Sequence, residues 1–477
     1  MARFKNDAKN VTTVERALGL VTDVRAGEGA TALLLAFDVF LVLGAYYLIK
    51  PVREALIGAV HNGPRYKSYM GAGVATALFI VVPVYARLAS SLPRNKLILW
   101  VSGFFASNLV AFYLLGLTPW VKGELGATVF GLGFLLWMGV FNMMIVAQFW
   151  AFAADIYTEE QGKRLFPLVA AGASLGAMAG SYAVKSIVHV VGTLQLMLLS
   201  AVVLVASALI TQVVHTRVTK GKAEGKPAGA LPKDACAGEG TENEEGAENE
   251  EDRRGAYALV FKNKYLRLIA IFTLVFTLVN TSGEYMISQL VSDAAKEHEH
   301  TKEAIREFIA AYMGDYFLWV NVAGLVIQLF LVSRIVKYGG FRVAFLVFPV
   351  LALASATMIT ASPTLGAVRV GKTAENSIDY SLNNTVRNML WLPTTRRMKY
   401  VAKQAVDSFF ARLGDVFSGA AVFVLVDQLD LGVRGVAGMN IVLIVAWIYV
   451  AWRIINERDR LAQQHPEGIE GNADKPA

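Results

Sequence analysis

A chain of 477 residues would ordinarily make about three soluble domains, but a 55% hydrophobic composition and a mean hydropathy of +0.46 exclude that and indicate a polytopic membrane protein. The formal net charge of +7 does not call for a nucleic-acid partner, because an uneven split of charge between loops accounts for it. One cysteine, Cys236, excludes internal disulfides and cysteine-only metal sites.

Residues 1–30 are polar and predict a cytoplasmic N-terminal segment, with no secretory leader, since no cleavage site follows the first apolar run. Apolar runs able to cross ~30 Å then predict twelve membrane helices. The first six lie at about 31–57, 69–89, 96–117, 126–152, 166–189 and 193–215, and form an N-terminal half, 31–215. The C-terminal half, 265–455, holds the rest at about 265–291, 313–335, 340–361, 373–393, 405–427 and 435–455. Residues 456–477 form a cytoplasmic tail. The expected fold is therefore an all-α integral membrane protein of two six-helix pseudo-repeats.

Residues 216–264 begin basic and turn into GEGTENEEGAENEED, with no apolar period to fold around, so they predict a disordered cytoplasmic linker. An even number of spans puts both termini on one side. Segments on that side hold 31 of the 45 Lys and Arg against 10 opposite, and the positive-inside rule makes it the cytoplasm. The halves read as parallel repeats. Glu54 of LIKPVREALI matches Glu284 of LVNTSGEYMI 230 residues on, and Trp150 matches Trp391 at an offset of 241. Two such halves are the plan of the major facilitator fold, whose substrate site lies at the midplane.

Four cations remain inside spans: Lys50, Arg53, Arg387 and Arg412. Charge in hydrocarbon is costly and normally faces a bundle interior or aqueous path. Lys50, Pro51, Arg53 and Glu54 sit together at the deep end of span one, where Pro51 bends the helix. In the second half Tyr380, Asn384 and Arg387 recur at helical spacing as a cavity wall, followed by Lys403, Asp407, Arg412 and Asp415. Polyphosphate needs several fixed cations, which makes Lys50, Arg53, Arg387, Lys403 and Arg412 the candidate anion-binding set. Arg412 and Asp415, three apart, have a simpler reading as a pair that neutralises itself. Glu54, Glu284 and Asp407 are candidates for coupling or gating. An unpaired glutamate in a span would carry a proton, a paired one would open and close a salt bridge, and both alternatives stand.

Two stretches invite other readings. LVAAGASLGAMAGS (168–181) spaces small residues for close helix packing. GAVRVGKT (366–373) fits G-x-x-x-x-G-K-[ST], but it follows a membrane span instead of a buried strand and falls on the outer side, so no ATPase site is expected.

KPVREALI, QFWAFAADIYTEEQGKRLFPLVAAGASLG, LVNTSGEYMIS and DYSLNNTVRNMLWLPTTRRMKYVAKQAVD together resemble the nucleotide (ATP/ADP) transporter family of plastids and obligate intracellular bacteria, nearest to bacterial relatives of unassigned substrate. The resemblance runs over most of 31–455. It implies a twelve-helix carrier in a bacterial inner membrane that exchanges nucleotides or imports them with protons. By motif it places the family's span-one cation on Arg53, its span-seven glutamate on Glu284 and its lysine before span eleven on Lys403. The chain departs from the plastid pattern at Met138 to Asn142, which contain no acid, and in its span-one motif.

The reading is a secondary-active transporter of an anionic solute working by alternating access, with a nucleotide as substrate, the lipid bilayer as setting, and no enzyme activity, cofactor, metal or nucleic acid. Its alternatives are a proton-coupled carrier of another organic anion and a non-transporting membrane scaffold.

Overall fold

The computed structural model describes residues 24–25, 27–223, 258–394, 398 and 402–464. Every regular element among them is a helix: α1 Gly29–Gly58, α2 Gly63–Ser91, α3 Arg94–Gly116, α4 Glu124–Ile156, α5 Glu159–Val191, α6 Gln195–Ala223, α7 Lys264–His298, α8 Lys302–Val326, α9 Gly340–Ala361, α10 Leu365–Ile378, α11 Ala411–Val422 and α12 Gly432–Gln464. Several are extended by shorter helical turns. One of these, Pro119–Lys122, joins α3 to α4. Wider π-type turns carry α8 on to Gly339, where Gly340 at φ +68° breaks the chain in a conformation glycine tolerates best.

Among the described residues ten stretches are long and apolar enough to cross a bilayer, and one of them, Lys302–Ala361, is 60 residues long and holds both α8 and α9. The tenth helix is too polar to join that set. The protein is thus a multi-pass membrane protein with two sets of six helices.

The structure departs from the sequence expectation in several places, including the tail, where α12 runs on to Gln464. Residues 292–312, expected as a loop, are almost entirely helical, because α7 continues to His298 and α8 begins at Lys302. Hydropathy registers only the apolar thickness of a helix, and Lys, Glu and Ala prolong it into water at little cost. The tenth helix starts at Leu365, capped by the Thr364 hydroxyl accepting from the amide of Ala367 at 3.3 Å. The expected disordered linker 216–264 is helical at both ends, over 216–223 within α6 and over 258–262, and its residues 224–257 lie outside the described residues, as do 395–397 and 399–401.

Two compact units are present. The first comprises α1, α2 from Thr76, α3 to α6, and α8 as far as Leu318; the second comprises Asn62–Ala75 with α7, α8 from Trp319, and α9 to α12.

In the first unit α1 is packed along α5 and α6. Gly172, Gly176 and Gly180 meet the α1 backbone at Ala36, Phe40 and Gly44, four residues apart on both helices; a Cβ on Gly176 would stand 2.2 Å from the Phe40 carbonyl oxygen. The small-residue stretch is therefore a packing seam. Gly176→Val is expected to cost about 3 kcal/mol by overpacking, read as a lower melting temperature of the purified protein, with Gly176→Ala milder.

Below that seam the unit is tied at its terminal side. Arg164 donates from both terminal nitrogens to the two Glu28 oxygens, each at 3.0 Å, and Gln161 adds a bond at 3.1 Å. Thr158 and Gln161 cap α5 reciprocally, and Arg25 pairs with Glu160 at 2.6 Å. Burial alone would push the Glu28 carboxyl up, but the bonds from Arg164, the Arg25 amide and Gln161 together hold it below its usual value. A carboxylate with a depressed folded value stabilises the fold above the ordinary Glu range, and that stabilisation is lost as pH falls through the folded value. Glu28→Gln should lower stability by about 1–2 kcal/mol at neutral pH, and the gap in melting temperature from wild type should close on acidification.

The second unit is built around Trp447 of α12, which contacts Phe272, Phe276 and Phe348 at centroid distances of 5.2–5.8 Å. Its central helix is α7, packed on α11 and α12. Thus α7 occupies in its unit the place α1 holds in the other.

Candidate functional site

Each unit carries its own buried polar cluster. In the first, Pro51 lies within α1, and the flanking Lys50 and Glu54 are both buried. The Lys50 ammonium is boxed by aromatic faces, 4.0 Å from the Phe317 centroid, 5.0 Å from Tyr47 and 5.8 Å from Tyr46. Ring quadrupoles offset part of the cost of desolvating that charge. Arg53 is paired with Glu54 and donates to it from Nε at 3.1 Å. Sequence reasoning brought these three charges together and missed a fourth, Asp38, fully buried one helical stretch earlier. Asp38 accepts from Ser207 and, at 2.6 Å, from Thr211. A lone acid inside the apolar run 31–49 was the available signal.

In the second unit Glu284 lies on α7 and accepts from the Asn376 amide at 3.0 Å. Beside it is Lys372, with no exposed surface, paired with Glu375 at 2.9 Å and donating to Asn280 at 3.2 Å. Gly283 makes room for it: a Cβ there would lie 2.7 Å from the Lys372 Nζ. Asn383 donates to Asp379 at 2.7 Å one turn further on. The sequence reading named Glu284 but overlooked Lys372, Glu375, Asn376 and Asp379. Their signal was the strong amphipathic period of α10, masked by the P-loop-like string. That string is helix, and its lysine is committed to an internal ion pair, so nothing there can cradle phosphate in the P-loop manner.

The remaining candidates of this unit sit nearer its surface. Arg387 lies 4.8 Å from the Phe276 ring and 3.6 Å from Asp407. Lys403 donates to Asn388 at 3.0 Å. Arg412 pairs with Asp415 at 2.9 Å, and Asp415 also accepts from Thr281 at 2.7 Å. Tyr380 and Asn384 are exposed. Four of the five basic candidates, Arg53, Arg387, Lys403 and Arg412, therefore hold a carboxylate or amide partner, and Lys50 sits on aromatic faces. Such groups can trade an internal acceptor for a ligand oxygen without ever being left bare.

Comparison with known proteins gives a consistent picture. A family model described as TLC ATP/ADP transporter matches residues 129–457. ADP,ATP carrier protein 1 of Chlamydia pneumoniae is 22% identical over 476 residues, covering 87% of this chain and 88% of its own. ADP,ATP carrier protein 5 of Rickettsia felis is 22% identical over 449 residues, covering 81% and 86%. Among solved structures, the nucleoside transporter NupG superposes with a TM-score of 0.59 at 10% identity, covering 89% of this chain and 99% of that one. At that identity the likeness is one of fold, and it fits the major facilitator plan.

Proposed function

The chain belongs to the TLC ATP/ADP transporter family, and from that premise we propose that it exchanges nucleotides, ATP against ADP, across a bacterial inner membrane by alternating access, with both termini in the cytoplasm. The observation that carries this reading is the set of cations on the two units' helices that hold exchangeable internal partners. Lys50 and Arg53 of the first unit and Arg387, Lys403 and Arg412 of the second are the proposed ligands for phosphate oxygens.

The chemistry is one of substitution. A phosphate oxygen displaces the Glu54 carboxylate from Arg53, or Asp407 from Arg387, so the cation never loses its counter-charge. The displaced Glu54 carboxylate, buried and now without its cation, takes up a proton from the solvent pool. Release of the nucleotide returns the carboxylate to the cation and the proton to solvent. Glu54, Glu284 and Asp407 are the proposed coupling or gating acids, and proton coupling follows if the proton is returned on the opposite side. Tyr380 and Asn384 line the path.

The test is counterflow. Purified protein in liposomes loaded with unlabelled ADP should accumulate labelled ATP, and should not do so from empty liposomes. Correctly folded protein showing no counterflow would sink nucleotide exchange, and uptake driven only by an imposed proton gradient would favour symport of the anion.

A further inference from the structure

The first unit contains another cationic pocket, sharing no lining residue with the clusters above. Its walls are the end of α3 with the short helix Pro119–Lys122, the Gly192–Gln195 turn between α5 and α6, and the first turns of α8. Each of these stretches follows an odd-numbered helix, so the pocket belongs to the face opposite the termini. Its volume is about 590 Å³, within the range of small-ligand sites.

Three cations line it, Lys122, Lys302 and Arg306, against two carboxylates, Glu303 and Glu307. Glu307 faces His189 at 3.8 Å. The Lys302 ammonium donates to the Lys122 carbonyl at 2.8 Å, tying two walls together and using one of its three donors. Two further donors are buried with nothing to bond to among the described residues. Arg306 is 7% exposed and its Nε has no partner; Thr193 is 5% exposed and its hydroxyl has none. Buried donors are normally completed by protein, ordered water, an ion or a ligand. Here both line one cavity, beside two lysines and the N-terminus of a 25-residue helix, whose dipole favours negative charge.

We propose that this pocket is a binding site for a phosphate-type anion, either a free phosphorylated solute or a phospholipid headgroup. Arg306 supplies a charged fork, Thr193 a hydroxyl donor, and Lys302 and Lys122 the outer charge. The flanking carboxylates leave an excess of one positive charge, which suits an anion that must leave again. The site stands independently of the nucleotide-exchange reading.

The experiment titrates full-length protein in detergent with inorganic pyrophosphate by calorimetry, and in parallel uses native mass spectrometry after extraction from phosphatidylcholine discs with or without phosphatidylglycerol. Arg306→Gln should weaken binding about tenfold or more and Thr193→Val about threefold, whereas Arg53→Ala should leave this component intact. An Arg306-dependent response to pyrophosphate alone identifies a free anion, and Arg306-dependent retention of phosphatidylglycerol alone identifies a lipid headgroup; either supports the site. Binding of either probe that ignores both Arg306→Gln and Thr193→Val overturns it, as does binding of neither. Should Arg306→Gln fail to fold, Thr193→Val, which keeps charge and shape, decides.

Discussion

Lys372→Met is expected to destabilise the protein by about 3–5 kcal/mol, the largest single effect in the second unit, measured as loss of the native melting transition in detergent. The replaced ammonium has no exposed surface, pairs with Glu375 at 2.9 Å, and feels the Glu284 and Asp379 carboxylates as well. Without it, three acids remain close together in a dry environment. Adding Glu375→Leu removes one partner of the broken pair and should restore most of the lost stability, because an apolar pair of similar volume replaces a buried ion pair at little net cost. The double variant is the informative one. If it melts like wild type yet fails to exchange, the pair serves transport; if it exchanges normally, the pair is scaffolding for Glu284 and Asn376.

Arg53→Ala should lower counterflow at least about thirtyfold, equivalent to ~2 kcal/mol, and should also lower the melting temperature by stripping the buried Glu54 of its cation, a loss that adding Glu54→Gln relieves. Arg53→Lys should recover only part, since the planar fork that binds two oxygens is lost. Glu54 makes the alternative testable. If Arg53 serves only to neutralise Glu54, the double variant Arg53→Ala with Glu54→Gln should regain exchange. If Arg53 holds phosphate, the double stays inactive. Raised KM at unchanged kcat in Arg53→Lys would place the contact in the ground state as well as in the translocating state.

Much of the architecture was readable from hydropathy, because a bilayer imposes helices and a minimum apolar length. Lys50, Arg53 and Glu54 stood out for the same reason: a charge triplet inside an apolar run has no inexpensive explanation. The seam at Gly172, Gly176 and Gly180 showed as a four-residue period of small side chains. Less of the polar interior was readable. The Lys372, Glu375 and Asn376 face emerges only once the tenth helix is known to start at Leu365, because the expected span began at 373 and left Lys372 in the preceding loop. Asp38 hid because one acid in the nineteen-residue apolar run 31–49 barely moves a hydropathy average. The assignment of Asn62–Ala75 to the second unit and of Glu299–Leu318 to the first is a tertiary fact that no local pattern encodes. The same holds for the meeting of Thr193 with Arg306, whose residues lie far apart in the chain.

The matched glycine seam has a mechanical consequence. Because Gly172, Gly176 and Gly180 seat on Ala36, Phe40 and Gly44 at equal intervals, α1 can advance along α5 only in notches of four residues, about 6 Å each. Any smaller stroke must carry the two helices as a single beam. Lys50 and Arg53, which ride on that beam, then keep a constant distance from the α5 residues throughout the stroke, like teeth on one comb.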